Sequence, residues 1–233
     1  MTSKTAMLDL VKGFRAAEVS RALKDDPVLI AVRDKRGRNW LHICCGRKLA
    51  PSLEKHSIAT AKVLLDHYDM SAPAFTEGGW KATPVWYAVG WGRNLALAEF
   101  LLKRGADPNH ALWAASFNKD IAAIRLLVEY GADIDPVTED STPLLGAVKW
   151  SLFGPAEELL KAGANPDWRD SKGLTALHHM LKKNSDPKHI AMVVRHGARG
   201  DIADPAGRTA IDILRRKKDP TLRKLAEQLA ARA

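Results

Sequence analysis

Apolar residues recur along this chain at helical spacing and in short runs. Ile121, Ile124, Leu127 and Val128 fall on one face of a helix, as do Leu222, Leu225 and Leu229 between Pro220 and Ala233. Phe14 to Ile30 reads as a helix followed by a turn at Pro27. Runs such as Phe100-Leu101-Leu102-Lys103-Arg104 end on a glycine, here Gly105, which takes the left-handed conformation that closes a helix. Between these runs lie segments rich in small residues (Ala88, Ala114, Ala115, Ala147), which let neighbouring helices approach closely. The pattern predicts pairs of short helices.

Two phrases punctuate the pairs in alternation. Gly105-Ala106-Asp107-Pro108-Asn109 returns as Gly131-Ala132-Asp133-Ile134-Asp135, as Gly163-Ala164-Asn165-Pro166-Asp167 and, worn, as Gly197-Ala198-Arg199-Gly200-Asp201. Between them fall Thr83-Pro84-Val85-Trp86, Thr142-Pro143-Leu144-Leu145, Thr175-Ala176-Leu177-His178 and Thr209-Ala210-Ile211-Asp212, with Asn39-Trp40-Leu41-His42 as a degraded first copy. Thr before Pro or Ala is an N-cap followed by a good first helical residue. From Leu144 to Leu177 is 33 residues and from Leu177 to Ile211 is 34. Such a period is the signature of a stacked repeat.

On these phrases the chain resembles the ankyrin repeat family from about residue 34 to 214. The resemblance implies an all-α solenoid of stacked helix-turn-helix units with short hairpin fingers. It spans residues 1–233 as one domain, with an N-terminal helical cap over 1–33 and about six repeats over 34–214. These begin near Asp34, Gly78, Asn109, Asp140, Asp170 and Asp204, and a capping helix over 215–233 follows. The spacing departs from the period twice. From Leu41 to Val85 is 44 residues, which predicts an insertion near 48–79, in Lys48–His56 or Met70–Gly79. From Val85 to Leu112 is only 27, which predicts a shortened unit near 109–135 that has lost its finger at His110.

Composition narrows the function. Of the 233 residues 46% are apolar and 27% charged, as in an ordinary globular protein. No apolar stretch nears the roughly 18 residues of a membrane span, and no secretory signal is evident. Cys44 and Cys45 are the only cysteines and are adjacent, unsuited to a disulfide or a zinc site, which suggests a reducing, cytoplasmic setting. The net charge of +9 is concentrated in residues 33–48 and 215–224, each summing to +5. His42 and His178 occupy the histidine of the family's Thr-Pro-Leu-His phrase, which implies a structural role. His178, His179 and His189 lack the spacing of metal ligands. No nucleophile elbow, phosphate loop or dinucleotide fingerprint is present. The expectation is no enzyme, no cofactor and no metal.

The resemblance implies binding at finger tips and at the exposed ends of the first helices. The candidate partner-binding residues are Arg36 and Arg38, Arg47, Trp80, Trp91, Phe117 and Asn118, Lys149 and Trp150, Lys172, and Lys182 and Lys183. Trp80, Trp91 and Trp150 fall where solvent-facing residues stand, and exposed tryptophan beside cations is hot-spot chemistry. Trp40 and Trp168 are assigned to packing or turns. The partner expected is another protein offering an acidic or mixed segment to a monomeric chain. Nucleic acid or another polyanion bound by the two basic ends is the alternative, with no membrane partner.

Overall fold

The inner helices begin where a side chain can cap them. Asn39 Oδ1 accepts the His42 N–H at 3.0 Å, Thr83 Oγ1 that of Trp86 at 3.3 Å, Thr142 Oγ1 that of Leu145 at 3.2 Å and Thr209 Oγ1 that of Asp212 at 3.1 Å. Each bond satisfies one of the N–H groups that the first turn of a helix leaves unpaired. Thr175 and His178 form a reciprocal capping box of the same kind. The helix at Leu112 follows Ala111, which has no capping side chain, and starts without one.

The computed structural model describes residues 2–48, 51–77 and 80–232, which fall into two compact units. The first comprises residues 1–118 and 125–132. It contains α1 (Lys4–Lys12), α2 (Ala16–Asp25), α3 (Trp40–Cys45), α4 (Glu54–Leu65), the two-stranded finger β1 (Thr76–Glu77) and β2 (Trp80–Lys81), α5 (Pro84–Tyr87), a π-helical turn (Ala88–Gly92), α6 (Leu95–Leu102) and α7 (Leu112–Phe117). β1 and β2 pair antiparallel, Thr76 opposite Lys81 and Glu77 opposite Trp80. α1, α3 and α5 pack in succession as one layer, and α2, α4 and α6 as a second. Between the layers Leu41, Leu64, Leu97, Leu101 and Leu112 are fully buried, each contributing about 1.5–3 kcal/mol. Trp40 is buried as well, its indole N–H donating to the Leu29 carbonyl at 2.8 Å.

The boundary between the units passes through α8 (Ile121–Glu129). The second unit comprises residues 119–124 and 133–233. α9 (Pro143–Lys149), α11 (Ala176–Lys182) and α13 (Ala210–Arg215) form its inner layer, and α10 (Phe153–Lys161), α12 (Pro187–Arg195) and α14 (Pro220–Ala230) its outer one. Leu144, Leu159, Leu177, Met180, Val193 and Leu214 fill the space between. Each unit is thus a stack of helix pairs in two layers, the all-α solenoid architecture expected. Gly105, Gly131, Gly163 and Gly197 all lie at φ between 80° and 93°, where the repeated phrase needs a left-handed residue.

Local differences from the sequence reading have local causes. The helix expected from Phe14 starts at Ala16, because Phe14 takes φ 54° to link α1 to α2 and buries its ring. α14 carries Leu222, Leu225 and Leu229 on its buried face and packs on both α13 and α12. In the stretch expected to hold the insertion, a 3-10 turn (Pro51–Leu53) leads into the twelve-residue α4. Leu49 and Ala50 there, and the second unit boundary at Gly78 with its neighbour Gly79, lie outside the described residues. Residues 103–111 contain no strand.

Two stability predictions follow from this packing. A Cβ on Gly92 would lie 2.1 Å from the Cys45 carbonyl oxygen, a backbone atom that cannot yield cheaply. Gly92→Ala should therefore lower unfolding stability by about 1–3 kcal/mol, measured by urea titration. His42 is 1% exposed, with Nε2 2.9 Å from the Ala72 carbonyl and Nδ1 accepting the Asn39 N–H. Burial pushes its pKa down to about 4 from 6.5, so the unfolded chain takes up a proton that the folded chain refuses. Its contribution is complete above pH 6.5 and is lost as pH falls toward 4, by about 2–3 kcal/mol. The urea midpoint should fall across that window, and less steeply in His42→Gln.

Candidate functional site

The segment Ala88–Gly92 winds as a π-helical turn rather than continuing α5 as an α-helix. It closes on Arg93 at φ 48°, with the Asn94 N–H donating to the Ala88 carbonyl at 2.9 Å. π-turns are rare, and many occur at functional sites. Here the turn leaves Trp91 51% exposed, under the Arg36 guanidinium at 5.9 Å from the ring centre. Beside it runs a row of edge-on aromatic contacts: Phe75 to Trp80 at 5.2 Å, Trp80 to Trp86 at 4.8 Å and Trp86 to Tyr87 at 4.9 Å. A cleft of about 450 Å³ opens between this row, Trp91 and the Lys35-Arg36-Gly37 turn. Trp91 also lines a cleft of about 370 Å³ toward Phe117 and one of about 500 Å³ toward Lys12 and Arg47.

The first-unit candidates occupy this surface in different ways. Arg36, Arg47 and Trp91 are exposed, and Phe117 is 48% exposed with its ring stacked on Trp113 at 5.9 Å. Trp80 is half-buried in the aromatic row, not solvent-facing as its position in the finger suggests. Arg38 is tied to Asp34 at 2.7 Å and lies over Tyr87. Burial works to raise the Asp34 pKa. The bonds from the Arg38 side chain and from the Arg38 and Arg36 N–H groups outweigh it and hold the carboxyl below its usual range. Asn118 donates to the Gly90 carbonyl at 2.8 Å and accepts from Arg93 at 3.2 Å, so it joins α7 to the π-turn. Sequence reasoning missed Lys12, Phe75, Trp86 and Arg93 as lining residues. The first-helix periodicity was a usable signal for Trp86 alone.

In the second unit several candidates stitch one helix pair to the next. Lys149 is bonded to the buried carboxylate of Asp170 at 3.3 Å, which also takes His179 Nε2 at 2.8 Å. Lys183 Nζ donates to the Lys149 carbonyl at 2.6 Å and to Ser151 at 3.1 Å, and Lys217 donates to Asn184 at 2.8 Å. The turn phrase makes a parallel ladder: the Asn165 N–H donates to Asp135 at 2.9 Å and the Arg199 N–H to Asp167 at 2.8 Å. At the fingers Asp140 accepts from the Ser171 N–H and hydroxyl at 2.7 and 2.6 Å. Lys172 and Lys182 are exposed, and Trp150 is 67% exposed at the end of α9. Trp40 and Trp168 are buried and half-buried respectively.

His178, His179 and His189 each have a structural partner. His178 bonds Thr175, His179 bonds Asp170, and His189 stacks on Phe153 at 3.8 Å. Among the described residues no group of three or more His, Cys, Asp or Glu side chains is placed to hold a metal ion. Cys44 and Cys45 are buried, and desolvation pushes the Cys44 thiol up to about 12. No helix among the described residues is long and apolar enough to cross a membrane.

Helix pairs stacked in two layers, joined by capped turns and stitched by backbone-bonding carboxylates, define a repeat scaffold. The family model for the ankyrin repeat matches residues 80–111. An ankyrin repeat protein of Fowlpox virus (strain NVSL) is 29% identical over 133 residues, covering 55% of this chain and 22% of the viral protein. The rat Arf-GAP with coiled-coil, ANK repeat and PH domain-containing protein 2 is 32% identical over 91 residues, covering 38% of this chain and 12% of that protein. The chain therefore spans less than a quarter of either relative. The crystal structure of the Bcl-3 ankyrin repeat domain superposes with a TM-score of 0.75 at 19% identity, covering 97% of this chain and 100% of that one. The chain contains an ankyrin repeat at residues 80–111 and has the fold of the ankyrin repeat domains. Domains of this family are non-catalytic scaffolds, and the fold generally mediates protein–protein interaction.

Because Trp91 and Trp150 are more than half exposed, replacing both with Ser should leave the helical circular dichroism unchanged and the unfolding free energy within about 0.5 kcal/mol of the parent. A larger loss would make the rings core.

Proposed function

We propose that the chain is a protein-binding module that holds an acidic or mixed segment of a partner against its inner helices and finger turns. The observation that carries this reading is Trp91, an exposed indole beside Lys35, Arg36, Arg47, Lys48 and Arg93. Ordered aromatics of this kind supply most of the energy at protein interfaces, about 2 kcal/mol or more each. Lys172, Lys182 and Trp150 in the second unit are the further contact candidates. Lys149, Lys183 and Asn118 contribute by holding the stack in register. We further propose that the chain acts as a monomer in a reducing, cytoplasmic compartment, in keeping with its buried thiols.

The test is affinity capture from lysate of the source organism at about 50 and 200 mM salt, with the Trp91→Ser, Trp150→Ser double variant alongside. A protein retained at both salts by the parent and lost from the variant is the expected result. Nucleic acid held only at the lower salt and indifferent to the variant would overturn it, since phosphate contacts lose about 10³–10⁵ in affinity over that range.

A further inference from the structure

Trp91 stands where three clefts of the first unit meet, and the charged residues described around them are cations with one exception. Lys35 and Arg36 line the first cleft, Lys48 and Arg93 the second, and Lys12 and Arg47 the third. They come from α1, the first finger turn, the end of α3 and the end of the π-turn, so the fold gathers cations separated by as many as 81 residues of chain. The one carboxylate lining these clefts among the described residues is Asp34. It is already engaged by Arg38 and by the backbone N–H groups of its own turn. The floor is apolar: Phe75, Trp86 and the exposed face of Trp91. At about 450 Å³ the central cleft is within the range of pockets that enclose a ligand group.

We infer that this surface docks an acidic, extended peptide segment of a partner protein through one aromatic or large aliphatic side chain. The inference rests on the protein-binding reading above and makes it specific. The anchor enters the cleft between Phe75, Trp86 and Trp91. Carboxylates on one side of it meet Lys35 and Arg36, and those on the other meet Arg47, Lys48 and Arg93. Charge complementarity selects the acidic segment, because among the described residues the one carboxylate lining the clefts is already engaged and of the lining cations only Arg38 is ion-paired. The aromatic geometry favours a peptide over single-stranded nucleic acid. Successive bases need parallel exposed ring faces, whereas Trp80, Trp86 and Tyr87 meet edge-on at interplanar angles of 75° and 86° and leave Trp91 as the exposed face.

The test is selection of displayed random dodecapeptides on the intact chain at about 0.15 M salt, followed by fluorescence polarisation of the enriched peptides and of a labelled oligo-dT. Enriched peptides should carry one aromatic or large aliphatic residue flanked by Asp and Glu. Trp91→Ser should weaken them about thirtyfold, and the double charge reversal Arg47→Glu, Arg93→Glu at least as much, with melting curves unchanged in both. Lys161→Glu with Lys188→Glu, exposed on α10 and α12, should leave them unaffected. The inference is overturned by enrichment of neutral or basic peptides, by no enrichment, by undiminished binding to Trp91→Ser, or by oligo-dT binding more tightly than any peptide. If a lysate partner survives Trp91→Ser but is lost with Lys172→Glu, Lys182→Glu, the general reading stands with its site in the second unit, and this cleft falls alone.

Discussion

Helices of six or seven residues, such as α3, α9, α11 and α13, are far below the length at which a helix holds together in water, about 12–15 residues. Each is kept helical by the layer it belongs to and by the longer helix it pairs with. That dependence explains why the interior positions are almost all small or leucine-sized: Ala88, Ala115, Ala147 and Ala176 let backbones approach, and leucines fill the space between layers. It also explains the recurrent caps, because a two-turn helix has nearly as many unpaired terminal N–H groups as internal hydrogen bonds. With stacking removed, neither the fingers nor the exposed side chains would have a fixed frame.

The polar joints between helix pairs have the same origin. Turns cannot bury apolar area, so successive units are held in register by charge-assisted bonds to backbone: Asp135 to Asn165, Asp167 to Arg199, Asp140 to Ser171. Bonds of this kind are stronger than neutral ones. Several lysines at helix ends serve the same purpose, which is why a cation at a first-helix end is not automatically available to a partner. Lys149 and Lys183 are occupied in this way, while Arg47 and Lys182 project outward.

Around Trp91 the fold departs from its own regularity. A glycine on either side of the tryptophan permits the π-turn, and the turn's close pass over Cys45 makes Gly92 obligatory. The outcome is a large aromatic held outward on a rigid support, at modest entropy cost to any ligand that uses it. The surrounding cations repel one another and are tolerated because they are solvated, a cost that an acidic partner would relieve.

Much of the architecture was legible from periodicity alone. The Thr-Pro and Gly-Ala-Asp phrases are local devices, a cap and a left-handed stop, so their chemistry is written in a few adjacent residues and survives without tertiary context. The same holds for His42 and His178, whose place in the cap phrase marked them as structural. Exposure was less legible. Trp80 and Trp91 both sit at positions that face solvent in a regular repeat, yet one packs edge-on against Trp86 and the other stands clear, a difference that depends on a π-turn with no propensity signature. The basic segment at 33–48 was visible as composition, but its meeting with Lys12 and Arg93 was not, since those residues are distant in sequence and only layer stacking brings them together. Local hydrogen bonding could be read from the chain because it is satisfied within a turn, whereas the clefts and their charge could not, because they are made by contacts between repeats.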